Sequence, residues 1–285
     1  MSNKIKGVVI MLCASIFFSL MGLFAKSLKG SCSAYQVVFF RSLITFFVVL
    51  LTARLRKVSV RGNNKIILLM RGTFGGIALI FFFTTIMHIK LANAFILNKT
   101  SPAFAAIFSI WFLKEKYNWK KLISLILTLI GVYMVINPVY NFSTDDNFYS
   151  FLGLMSGILS AAAYVCVKKA RDTENTETIV LYFASAATIF TFIPTVSGSF
   201  ALFSPRICLY LFLVGFFSAC AQLLMTLGYA YLSVSEATVI SSITIINTAL
   251  IGYFVFGEVL LNYAIIGAIF IITSIVLISL TKEKN

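Results

Sequence analysis

Three cations stand inside long apolar runs: Arg41, Arg71 and Lys99. An ionisable side chain in hydrocarbon is costly and normally faces a cavity or a partner. Lys99 lies in the stretch Asn98–Lys99–Thr100–Ser101–Pro102. Pro102 removes a backbone donor and frees carbonyls about one turn earlier, around Asn98. An interrupted helix beside polar side chains is a common way to bind a solute within a membrane. Arg41 fits two roles equally, a solute-binding cation or a structural donor to a neighbouring helix. Arg71 is five residues from the end of its run, so it is expected to snorkel to the interface. The remaining candidates are uncharged: Ser19 with Ser15, Tyr164 with Ser160, Gln222, Ser242 with Ser241 and Thr244, and Asn247. Any one Ser or Thr often bonds its own helix backbone instead.

The acids are placed differently. All nine carboxylates fall in loops or at the ends of apolar runs. A carrier that exchanges protons for cationic drugs needs a buried acid, and none is available here. Lys99 and Arg41 without an acid favour a solute with an anionic or zwitterionic group. No catalytic cluster of Asp, Glu and His exists, because the chain has one histidine, His88. That disfavours a polytopic enzyme acting on lipids. There is no phosphate-binding glycine loop and no metal-ligand spacing, so no cofactor is expected. Of five cysteines, Cys32 and Cys208 fall on the same side and could pair.

These residues must be held by membrane-spanning helices. Hydrophobic residues are 60% of the chain and charged residues 11%. Ten apolar stretches are long enough to cross, at roughly 7–27, 34–53, 66–87, 91–112, 119–137, 150–168, 178–197, 207–231, 234–256 and 261–281. They lack strand-like alternation, so the fold class is an all-α polytopic membrane protein rather than a β-barrel. Lys4 and Lys6 before the first run resemble a signal peptide, but the run continues to Phe24 and is read as a retained helix. Small residues mark spans three, six and eight as interior helices: Gly72, Gly75 and Gly76, the Gly153–Gly157 pair, and Gly215 with Ala219. Spans five and ten are bulky and apolar, which suits lipid-facing positions.

The net charge of +14 is a topology signal. With the N-terminus inside, sixteen Lys and Arg fall on the cytoplasmic side. Only Lys26, Lys29, Lys90 and Arg206 fall outside. The positive-inside rule therefore predicts both termini in the cytoplasm. The basic residues then lie near anionic lipid, and no nucleic-acid partner is expected.

The chain also repeats. Ala94 to Glu115 matches Ala237 to Glu258, with the glutamate 21 residues after the alanine in both. The offset of 143 also relates Gly72 to Gly215 and places Ser242 opposite Lys99. The expected organisation is a first five-helix repeat over 1–138, an outer linker over 139–149 and a second repeat over 150–285. Five is odd, so the second copy enters the membrane from the other side. The ten helices are expected to form two inverted repeats, with Lys99 and Ser242 facing one central cavity.

At these residues the chain resembles the ten-helix EamA-type transporters of the drug/metabolite transporter superfamily. The resemblance covers nearly the whole chain. It is carried by Phe39–Phe40–Arg41, Arg71–Gly72, Leu91 to Ala94, Ser101–Pro102, Leu113–Lys114–Glu115, and Gly131 with Pro138. The second copy echoes it in Gly215, Ser235–Glu236–Ala237–Thr238 and Phe256–Gly257–Glu258. It implies alternating access by two pseudo-symmetric halves in a bacterial inner membrane, as a monomer or homodimer. The substrate would be a small polar metabolite, an amino acid or related compound first. An S-adenosylmethionine or nucleotide-metabolite uptake carrier and a drug exporter are the alternatives.

Overall fold

The computed structural model describes residues 3–88, 97–116, 119–136, 146–197, 204–256 and 262–280. Lys90, Leu91 to Ala94, Pro138, most of the 139–149 linker, Gly257, Glu258, Lys282 and Lys284 lie outside the described residues. All regular structure among the described residues is helical: α1 Asn3–Ser27, α2 Ala34–Leu55, α3 Lys65–His88, α4 Ser101–Leu113, α5 Trp119–Ile136, α6 Asp146–Ala170, α7 Thr176–Val196, α8 Pro205–Gly228, α9 Val234–Ser241, α10 Ile243–Phe256 and α11 Asn262–Ser279. Among the described residues, seven spans are long and apolar enough to cross a membrane, with α9 and α10 counted together as Val234–Val255. Shorter apolar helices include α4, the described part of span four.

Along the spans, large apolar side chains face outward while several polar groups are buried beside the apolar core, as lipid rather than water allows. Trp111, Phe112 and Phe254 are each more than 70% exposed, whereas Ser15, Ser19, Arg41, Arg71 and Gln222 are buried. α3 packs most extensively on α6, and α1 on α8. α3 also packs on α7, and α2 on α8; α4 packs on α6, and α1 on α9 and α10. Numbered by span, each pairing returns as another when five is added to both members. α2 and α7 run antiparallel, joined by Arg56–Glu177 at 3.1 Å near one end and by Phe39 near Phe192 at the other.

Small residues set these approaches. A Cβ on Gly157 would come within 2.8 Å of the Leu97 carbonyl, and one on Gly215 within 2.5 Å of Ile44. Such contacts explain why spans six and eight carry glycine at their packing faces. Spans five and ten depart from the uniform bulk expected of them. α5 shows one face outward through Ile123, Ile126 and Ile130, but its other face forms a tight seam with α11. There Gly131 abuts the Gly267 carbonyl, and Thr128 and Ser274 share a 2.8 Å hydrogen bond. Met134 and Val135 lie against Gly267, so α5 and α11 are antiparallel too. Cys32 and Cys208 are both free thiols.

Candidate functional site

Span four is broken where Pro102 requires. The chain turns at Lys99 and Thr100 before α4 begins at Ser101, with Pro102 in its first turn. The break is tight: Thr100 donates its N–H to the Leu97 carbonyl at 3.4 Å and its hydroxyl to the same oxygen at 2.6 Å. Asn98 donates to Ser156 Oγ on α6 at 3.0 Å. Lys99 is half-buried and has no hydrogen bond or ion pair to a described residue. Span nine is broken at the offset position, Ser242, between α9 and α10. Ser242 is fully buried, and its hydroxyl donates to Thr238 O at 3.2 Å, a bond within its own helix.

A second group links α1 to α10. Ser19 donates to Ser15 O at 2.9 Å and to Thr244 O at 3.3 Å. Asn247 donates to Ser15 Oγ, and Thr248 to Ser19 Oγ, each at 3.5 Å. These long side-chain bonds tie the half-helix after the break to α1.

The third group holds the charge. Arg71 is 2% exposed and does not snorkel. Its Nη2 donates to Gln222 Oε1 at 3.2 Å, and its guanidinium carbon lies 4.2 Å from the centre of the Phe183 ring. Its Nε is buried without a hydrogen-bond partner among the described residues. Arg41, also 2% exposed, lies 6.0 Å from the same ring and donates Nε to the weak acceptor Met21 Sδ at 3.3 Å. The two arginines interact electrostatically, and Tyr164 and Tyr229 lie within range of Arg71. Those tyrosine rings stack with centres 6.0 Å apart. No carboxylate partners either arginine among the described residues.

The structure thus brings Arg41, Gln222 and Tyr164 into one cluster, Ser19 and Asn247 into another, and leaves Asn98 with Ser156. Arg71, Phe183 and Gly75 were absent from the sequence-derived set. The signal for Arg71 was the glycine four residues on: Gly75 sits one turn above it on the same face, leaving space for a large head group.

One end of the molecule is fastened by ionic and capping bonds around the start of α9. Glu236, 2% exposed, accepts from Lys4 Nζ at 2.7 Å and from Ser233 N at 3.0 Å. Lys4 also reaches Ile278 O at 2.9 Å. Glu115 accepts from Val234 N at 2.8 Å, and buried Lys121 donates to Ser233 Oγ at 3.3 Å. At the far end of α3, His88 stacks on Tyr149 at 3.9 Å.

Long apolar helices around a polar, cation-bearing interior define a multi-pass membrane protein. The chain belongs to the EamA-like transporter family, whose model matches residues 5–137 and again residues 147–280. It is a membrane transporter of that family and not an enzyme. Among relatives, the pseudopaline exporter CntI of Pseudomonas aeruginosa is 30% identical over 278 residues, covering 97% of each chain. Human solute carrier family 35 member G1 is 23% identical, covering 94% of this chain and 77% of that one. A crystal structure of a protein 15% identical superposes with a TM-score of 0.83, covering 95% of this chain and 96% of that one. At that identity the likeness extends to the fold alone.

Proposed function

We propose that this chain is a secondary transporter for a small anionic or zwitterionic metabolite, such as an amino acid or a related compound. It works by alternating access of two inverted five-span repeats in a bacterial inner membrane, with both termini in the cytoplasm. The observation that carries the reading is the pair of buried arginines, Arg41 and Arg71, with no carboxylate beside either among the described residues. Uncompensated charge of this kind is unfavourable in an empty protein and becomes favourable when a solute supplies the opposite sign. Lys99 at the span-four break adds a third cation toward the same solute, with Asn98, Tyr164, Gln222, Ser19, Asn247 and Ser242 as polar lining.

The antiparallel course of α2 against α7 and of α5 against α11 supports the inverted arrangement, since each pair joins corresponding spans. The excess of Lys and Arg on one side supports the orientation. The described carboxylates lie at helix ends or in loops, which supports facilitated diffusion or exchange rather than proton coupling. The exporter relative makes efflux the first direction to assay.

The test is a thermal-shift screen of the purified protein against metabolites grouped by charge, followed by counterflow in proteoliposomes. Anionic and zwitterionic solutes should stabilise the protein, and purely cationic ones should not. Counterflow should continue with the pH gradient collapsed; if it stops, the argument from the missing acids fails.

A further inference from the structure

We infer that Arg71 is the carboxylate-docking residue of this site, that Gly75 shapes its seat, and that the neutrality of Gln222 reserves its charge for the solute. This rests on the anionic or zwitterionic reading above.

The seat is built from three sides. Phe183 covers one face of the guanidinium at 4.2 Å. Gly75 closes another side: a Cβ at that position would overlap Arg71 Nη1 and stand 3.0 Å from the Phe183 ring. Only a residue without Cβ lets the guanidinium rest there, so glycine acts here through space rather than through backbone freedom. Gln222 holds the third side through its bond to Nη2. With the ring against one face, the strong donors point in the plane of the guanidinium. That geometry matches a planar carboxylate.

The charge is kept open by the choice of partner. A glutamine oxygen orients the guanidinium without neutralising it, whereas a carboxylate at the same distance would satisfy it permanently. Arg71 Nε is buried and has no hydrogen-bond partner among the described residues, so the site has unused donor capacity. Arg41 shares the Phe183 ring and adds like charge nearby, its hydrogen bond among the described residues going to a thioether. One solute carboxylate would meet both needs.

The experiment compares thermal unfolding of the full-length protein in detergent, titrated with sodium glutamate, sodium succinate, lysine methyl ester and inorganic phosphate. Wild type should be stabilised by at least one carboxylate. Gln222→Glu should unfold at a higher temperature without solute, because it supplies the missing counter-charge. Its apparent affinity for that carboxylate should fall at least tenfold. Gly75→Ala retains every charge but displaces the guanidinium, and should also lose affinity at least tenfold. Gly22→Ala, whose new Cβ meets nothing within 4 Å, should respond as wild type does. If Gln222→Glu or Gly75→Ala responds to carboxylate as wild type does, the assignment to Arg71 is overturned while the anionic reading stands. A wild-type response to phosphate alone overturns the carboxylate assignment. A response to lysine methyl ester alone overturns the anionic reading itself.

Discussion

Lys99 and Arg71 are both cations in apolar spans, yet their surroundings differ. Arg71 has a ring, an amide and a glycine seat; Lys99 stands half-buried at a helix break without a described partner. A residue with no described bond to lose is a clean target. Lys99→Met keeps length and removes charge, so folding should survive while anionic or zwitterionic solutes bind roughly ten- to hundredfold more weakly, the worth of a charge-assisted bond. Uptake kinetics in proteoliposomes measure this; unchanged kinetics would exclude Lys99 from the binding site. Ser242→Ala removes one neutral bond within its own helix and should cost no more than about 0.5–1.5 kcal/mol. Mid-span polar residues such as Gln222 and Tyr164 were legible from sequence because hydrocarbon leaves them few uses. Arg71 was not, because position along a span does not say which face the residue takes. Five residues from the end, either snorkelling or burial was sterically open.

Helix interruptions show the same limit one level up. The break in span four was legible because Pro102 cannot donate to the helix ladder. The break at Ser242 has no proline or glycine within it, and the sequence pointed there only through the repeat offset. The α5–α11 seam was missed because its glycine and hydroxyl residues occupy one face of helices whose average character is bulky. The seam makes a definite demand on volume. Gly131→Leu would drive a side chain into the Gly267 carbonyl and Ile271, already 2.7 and 2.8 Å from a single added Cβ. Overpacking should destabilise by about 1–3 kcal/mol or more. Ile130→Leu, one residue away on the exposed face, should be nearly neutral. Thermal unfolding of the two variants in one detergent makes the comparison.

For the whole molecule, the distribution of basic residues gives the firmest expectation. A cysteine replacing Lys57 and one replacing Asp146 should label from opposite sides of the membrane, Asp146→Cys in intact cells and Lys57→Cys only after permeabilisation. Labelling from the same side would overturn the proposed orientation. The two halves share a pattern of packing but not of charge: the offset positions of Arg41, Arg71 and Lys99 are Ala184, Val214 and Ser242. Charge is unequal at the ends as well. Any movement that parts α1 from α9 must pull Lys4 away from Glu236, which is almost fully shielded from solvent. At the offset positions stand Asn147 and Asn93, both uncharged side chains. On the alternating-access reading proposed above, a carrier fastened this way is expected to favour one orientation when solute is equal on both sides. The Lys4–Glu236 pair would then latch one resting state, from the first turn of the first helix.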